Sequence, residues 1–200
     1  MTSTIAEKLK QIKLSFRQIM DGSIAQSMRD KGVQYHLNWG ATLPRLREMA
    51  DEYGQDYDLA LALWKENIRE CKILATMMMP PNEMLPEVVD IWMEQTETQE
   101  IAEQAAMNLY RYLPYAPMKA YEWIASDRPL YQLCGFHVLS RLFMNGQEPN
   151  ERGINEFIDQ ALAAFNGPDM IVRKAAYNCL QRFAELGIVY GRLVQNALRF

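Results

Sequence analysis

Phe136-His-Val-Leu-Ser-Arg-Leu142 and Tyr177-Asn-Cys-Leu-Gln-Arg-Phe183 follow one pattern at an offset of 41 residues. Both segments place apolar residues at helical spacing and close on Leu-x-Arg followed by a large apolar side chain. Leu109-Tyr-Arg-Tyr112 echoes the same ending. Outward from these segments, every periodic stretch is helical. Ile5, Leu9, Ile12, Phe16 and Ile19 form one apolar face. Ser23 is placed to cap a short second helix that stops near Gly32, and residues 33–41 form an irregular loop carrying Tyr35, His36 and Trp39. Thr42 with Pro44 opens a helix that Gly54 stops, and Asp56 caps a long one that runs to Pro80-Pro81. Pro86 begins another. Thr96-Glu-Thr-Gln99 has capping-box form, so a helix is expected from there to Leu113-Pro114. Further starts follow Ala116-Pro117, Asp127-Arg-Pro129, Asn150, Pro168 and Gly187.

A period near 40 with paired helices is the mark of HEAT-like arrays. One helix pair cannot bury its own apolar face, so pairs stack, outer helices meet solvent and inner helices line a concave surface. The expected fold class is all-α, a HEAT-like repeat solenoid of stacked antiparallel helix pairs, with residues 1–200 as a single domain. An irregular helical bundle is the alternative.

Composition supports a packed core: the 200 residues are 49% hydrophobic and 23% charged, ordinary globular values. Cys71, Cys134 and Cys179 each lie within an apolar helical pattern, which makes them small core residues of a reducing compartment. No stretch approaches the roughly 18 apolar residues of a membrane span. The first helix is interrupted by Glu7 and several lysines, unlike a secretory leader, so a cytoplasmic location is expected. No His/Cys set has zinc spacing, and neither a glycine-rich phosphate loop nor a nucleophile elbow is present. No cofactor and no metal are therefore expected. Net charge is −4 but unevenly spread. Residues 1–50 hold eight Lys/Arg against four Asp/Glu, and residues 51–100 hold three against twelve. A duplex-binding protein needs cations aimed at phosphates; solvated helix faces are the alternative explanation of these charges.

The stretch from Trp39 to Pro81 carries a more specific likeness. Asn38-Trp-Gly40, Leu43-Pro-x-Leu-Arg47, the helix from Leu59 to Trp64-Lys65, and Ile68-Arg69 leading to Ala75-Thr-Met77 resemble the AlkD-like DNA alkylation repair family. A looser match runs through Trp92 and Gln104 and on to Ile171-Val-Arg-Lys-Ala175 with Leu180. The resemblance covers most of residues 35–185. It implies a HEAT-like solenoid that excises positively charged alkylated purines by breaking the N-glycosidic bond. Such a base is already a good leaving group. The chemistry then needs a carboxylate beside the sugar to stabilise an oxocarbenium-like transition state, and aromatic faces against the sugar and backbone.

Carried over residue by residue, the family's Trp-Asp-x-x-Asp segment reads Gln99-Glu-Ile-Ala-Glu103 in this sequence. The first tryptophan position is Gln99 and the catalytic aspartate position is Glu103, with Glu100 one turn earlier. The second tryptophan position falls at Asn178, with Tyr177 beside it, on the helix Arg173-Lys-Ala-Ala-Tyr-Asn-Cys-Leu180. A glutamate sets its charge about one methylene, ~1.5 Å, further out, and a misplacement near 1 Å costs on the order of 10²-fold in rate. Glu103 and Tyr177 are thus the candidate catalytic residues, in an activity expected to be weakened or lost. A solvated acidic face is the alternative for Glu100 and Glu103. Arg45, Arg47, Arg111, Arg141, Arg173, Lys174 and Arg182 are the candidate DNA contacts. Duplex DNA is the expected partner; the alternative is a non-catalytic scaffold that holds DNA, a protein or a peptide on its concave face.

Overall fold

A computed structural model describes residues 4–198. Among them are twelve α-helices, one 3-10 turn and no named strand. The chain divides between Gln104 and Ala105 into two compact units, which are taken in turn.

In the first unit α1 (Ile5–Ile19) begins at a capping box that closes between Thr4 and Glu7. Its face buries Ile12 and Phe16, whereas Leu9 and Ile19 are half-buried. The N-cap of α2 (Gly22–Asp30) is Asp21 rather than Ser23, because the Asp21 carboxylate accepts both the Ser23 and Ile24 amides. The expected helices at Leu43–Tyr53 (α3) and Pro86–Glu94 (α6) form with proline in their first turns.

The long helix expected after Asp56 is two helices, α4 (Tyr57–Lys65) and α5 (Arg69–Met78). Glu66 and Ile68 are extended. Ile68 pairs with Leu37 in an isolated parallel bridge, and the Arg69 amide donates to the Leu37 carbonyl at 3.0 Å. No Gly or Pro marks this break; the bridge to Leu37, in the loop before α3, lies at it. Trp64 of α4 and Trp92 of α6 stack with centroids 4.1 Å apart and planes 2° from parallel. The Trp64 indole N–H donates to Gln95 at 2.8 Å, and Lys72 lies over the same ring at 4.3 Å. Helix α7 (Gln99–Asn108) starts two residues later than a Thr96 cap implies. The Thr96 hydroxyl donates back to the Trp92 carbonyl, and Thr98 accepts the Ile101 amide instead.

The second unit begins within α7 and passes through the 3-10 turn Tyr110–Tyr112 into α8 (Ala116–Ile124) and α9 (Pro129–Met144). A second hairpin, α10 (Glu151–Phe165) and α11 (Met170–Ala184), follows, and α12 (Ile188–Ala197) packs on α11. Helices α9 and α11 pack side by side, each covered by its own hairpin partner. This is the arrangement that the 41-residue offset implies. Val138, Leu139 and Leu142 are buried, as are their counterparts Cys179, Leu180 and Phe183. Phe143, Phe157, Phe183 and Tyr190, one from each of α9 to α12, form a cluster with centroids 4.9 to 5.4 Å apart. Gly135 lets α8 approach α9: a Cβ there would lie 2.8 Å from the Ala120 carbonyl oxygen.

All three cysteines are buried and free. Burial pushes the Cys71 and Cys179 thiols up to about 12 and Cys134 higher still. The thiolate is the reactive form. Native protein should therefore fail to react with a thiol-specific disulfide reagent at pH 8 and release three equivalents in guanidinium; rapid native labelling would contradict the packing described.

Candidate functional site

The Gln99–Glu103 segment is the first turn and a half of α7. Its two carboxylates, one turn apart, have different surroundings. Glu100 is not a solvated charge. Its carboxylate takes a two-pronged contact from Arg69, Nε to Oε2 at 2.8 Å and Nη2 to Oε1 at 2.6 Å. It also accepts from the Tyr35 hydroxyl at 2.6 Å. Arg69, 4% exposed, extends the network by donating Nη1 to the Ala41 carbonyl at 2.9 Å and to Glu70 at 3.1 Å. Glu70 has no exposed surface and accepts the Trp39 and Ala41 amides, both at 3.2 Å. Burial opposes the Arg69 charge, but the Glu100 and Glu70 carboxylates more than offset this and raise its pKa. Burial, and then the hydrogen bond to Glu100, push the Tyr35 phenol well above its ordinary value. This network binds the Trp39 loop to α5 and α7. The sequence pointed to it weakly, through an Arg-Glu pair at the start of α5, and the separation of 31 positions between Arg69 and Glu100 hid the partner.

Glu103 is half-buried, and its Oε1 accepts the Gln99 side-chain amide at 2.7 Å. Gln99, expected from the sequence at a tryptophan position, thus hydrogen-bonds Glu103 through its side-chain amide. In the second unit Asn178 is exposed, and Tyr177, 40% exposed, stacks on Phe165 with centroids 5.7 Å apart and planes 28° apart.

The candidate cations separate by their partners. Arg45 pairs with Glu48 at 2.7 Å, and Arg182 holds Glu185 at 2.8 and 3.0 Å, so each charge is locally compensated. Arg47 and Lys174 are exposed. Arg173 donates Nε to the Phe165 carbonyl at 3.0 Å, a neutral acceptor that leaves the charge uncancelled. Arg141 rests on two thioethers, the Met107 sulfur at 3.0 Å and the Met144 sulfur at 3.7 Å. Sulfur is a weak acceptor. Arg111 lies over the Tyr112 ring at 4.3 Å and donates to its hydroxyl, while its Nε is buried without a partner. Met107, in the last turn of α7, touches Arg141, and Arg111 lies in the 3-10 turn that follows.

A groove of about 560 Å³ in the same unit has a floor of Tyr121, Leu139, Leu142 and Phe143 and carboxylates Glu148 and Glu156 along it. Among the described residues no group of three or more His, Cys, Asp or Glu is placed to hold a metal, and no helix is long and apolar enough to cross a membrane.

Residues 12–189 match the family model described as DNA alkylation repair enzyme. A comparison with curated proteins finds no match. A solved structure superposes with a TM-score of 0.81 at 17% identity, covering 96% of this chain and 80% of the other. It is described as "a new family of proteins related to the HEAT-like repeat DNA glycosylases with affinity for branched DNA structures". The likeness bears out the all-α, HEAT-like fold expected from the repeat.

Proposed function

Because the chain belongs to the DNA alkylation repair enzyme family, we propose that it binds DNA through cations of its second unit, with glycosidic-bond cleavage weakened or lost. The observation that carries the reading is the state of α7. One of its two carboxylates, Glu100, is consumed by Arg69 and Tyr35, and the other, Glu103, accepts the Gln99 side-chain amide. Stabilising an oxocarbenium-like sugar asks for a carboxylate and π-faces set before the reaction begins. Gln99 supplies no such face, and Tyr177 is stacked on Phe165. If excision survives, Glu103 is the residue that would stabilise the sugar cation.

DNA binding is supported by the affinity for branched DNA attributed to the superposed relative, and by the guanidiniums of Arg111, Arg141 and Arg173, whose hydrogen bonds described above run to a hydroxyl, thioethers and a carbonyl rather than to a carboxylate. Each phosphate neutralised contributes about 0.9 to the slope of log affinity against log salt. Arg141→Ala and Arg173→Ala should each weaken binding and lower that slope by about 1. Arg45→Ala and Arg182→Ala, whose charges Glu48 and Glu185 already balance, should leave it nearly unchanged. Equal slopes for all four variants would remove the assignment, and an absence of binding at low salt would remove DNA as the ligand. The apolar groove with Glu148 and Glu156 favours a basic, apolar peptide as the second reading.

A further inference from the structure

The second unit presents a feature that phosphate binding does not need. Arg111 and Tyr112 form a preassembled pair, with the guanidinium carbon 4.3 Å from the ring centroid and a hydrogen bond to the ring's own hydroxyl. Tyr112 is 52% exposed. Arg128 and Tyr131 at the start of α9 form a second pair at 4.3 Å, with Nη1 donating to the Tyr131 hydroxyl at 2.9 Å. A lone exposed cation on a flexible stem suffices to meet a phosphate. A guanidinium set over an exposed phenol gives instead a π-surface next to positive charge.

Bases inside a continuous duplex are stacked on one another and show a protein only their edges. A π-surface can be used only by a base that has left the stack, and single-strand binding proteins join aromatic platforms to a positive track in this way. The local charge fits. Arg141, in the same unit, has thioether acceptors and no acidic one in its described hydrogen bonds, so its charge can meet a phosphate at little electrostatic cost.

We infer that Arg111 and Tyr112 form a stacking site for an unpaired nucleobase, so that the protein distinguishes DNA containing unstacked nucleotides from continuous duplex. The inference rests on the proposed DNA binding and names the site that would confer the preference.

The test uses the full chain, a forked DNA carrying 2-aminopurine at the first unpaired position, and an intact duplex of equal length. Wild type should bind the fork at least about tenfold more tightly than the duplex and quench the 2-aminopurine. Tyr112→Ala should lose the quenching and the preference while keeping duplex affinity. Tyr112→Phe, which keeps the ring, should retain both, and Arg111→Lys, which keeps charge but not the plane, should lose most of the quenching. Circular dichroism should be unchanged in all three. If Tyr112→Ala quenches and prefers the fork as wild type does, the stacking site is wrong while DNA binding stands. If wild type binds neither DNA at low salt, the DNA reading falls and the stacking site with it.

Discussion

Arg69→Met should cost about 3–5 kcal/mol of stability, the range for breaking one partner out of a buried ion network. The methionine would fill much of the space left by the arginine stem but none of its hydrogen bonds. Glu70, with no exposed surface, would keep only two main-chain amides, and Glu100 would lose its two-pronged partner. The Ala41 carbonyl would lose its contact as well. Most of the cost would come from a carboxylate left buried without a cation, not from the pair itself, because a buried ion pair returns little more than its desolvation takes. That distinction is measurable. Adding Glu100→Gln and Glu70→Gln to Arg69→Met should recover part of the loss. Urea unfolding followed by tryptophan fluorescence reports on this unit, since Trp39, Trp64 and Trp92 lie in it. A loss below about 1 kcal/mol would mean that the network does not hold the Trp39 loop.

Gly40→Ala should be nearly as severe, at about 3 kcal/mol or more, through a different mechanism. Gly40 has φ +73, and a Cβ there would lie 2.0 Å from the Asp21 carbonyl oxygen and 3.0 Å from the Ala25 amide nitrogen. These are backbone atoms at the start of α2, and the Asp21 amide is itself bonded to the Trp39 carbonyl at 2.9 Å. Neither side yields without breaking a cap. The same urea experiment checks it. Gly54→Ala makes a useful control: its φ is the same, yet no atom lies within 4 Å of the added carbon, so the excess loss at Gly40 isolates the collision from the backbone strain.

These two positions show where sequence reading stops. The helices of the second unit were legible because apolar spacing repeats at an offset of 41 and the caps Asn150 and Gly187 are local signals. The break at Glu66–Ile68 carries no local signal; Leu37, 31 residues before Ile68, bridges to it. The first turn of α7 misled for a related reason. Thr96 and Thr98 both suit a cap, and the choice fell to Thr98 because the Thr96 hydroxyl is buried against the Trp92 carbonyl. At the candidate site, the placing of Gln99 and Glu103 about one turn apart on a single helix was legible. That Glu100 belongs to Arg69 was not, because ion-pair partners 31 residues apart leave no periodic trace. Charge counts alone ranked Arg45 with Arg141, and only the Glu48 and Met107 contacts separate them.

The central claim is that a family framework persists while the carboxylate and aromatic constellation for excision does not. Its most direct test is a single-turnover assay on duplex DNA carrying N-alkylated purines, with binding measured in the same samples. The account predicts that the DNA is bound and that free alkylated base is released no faster than in buffer, by wild type and by Glu103→Gln alike. Release by wild type that Glu103→Gln abolishes would contradict it and make Glu103 a working catalytic carboxylate.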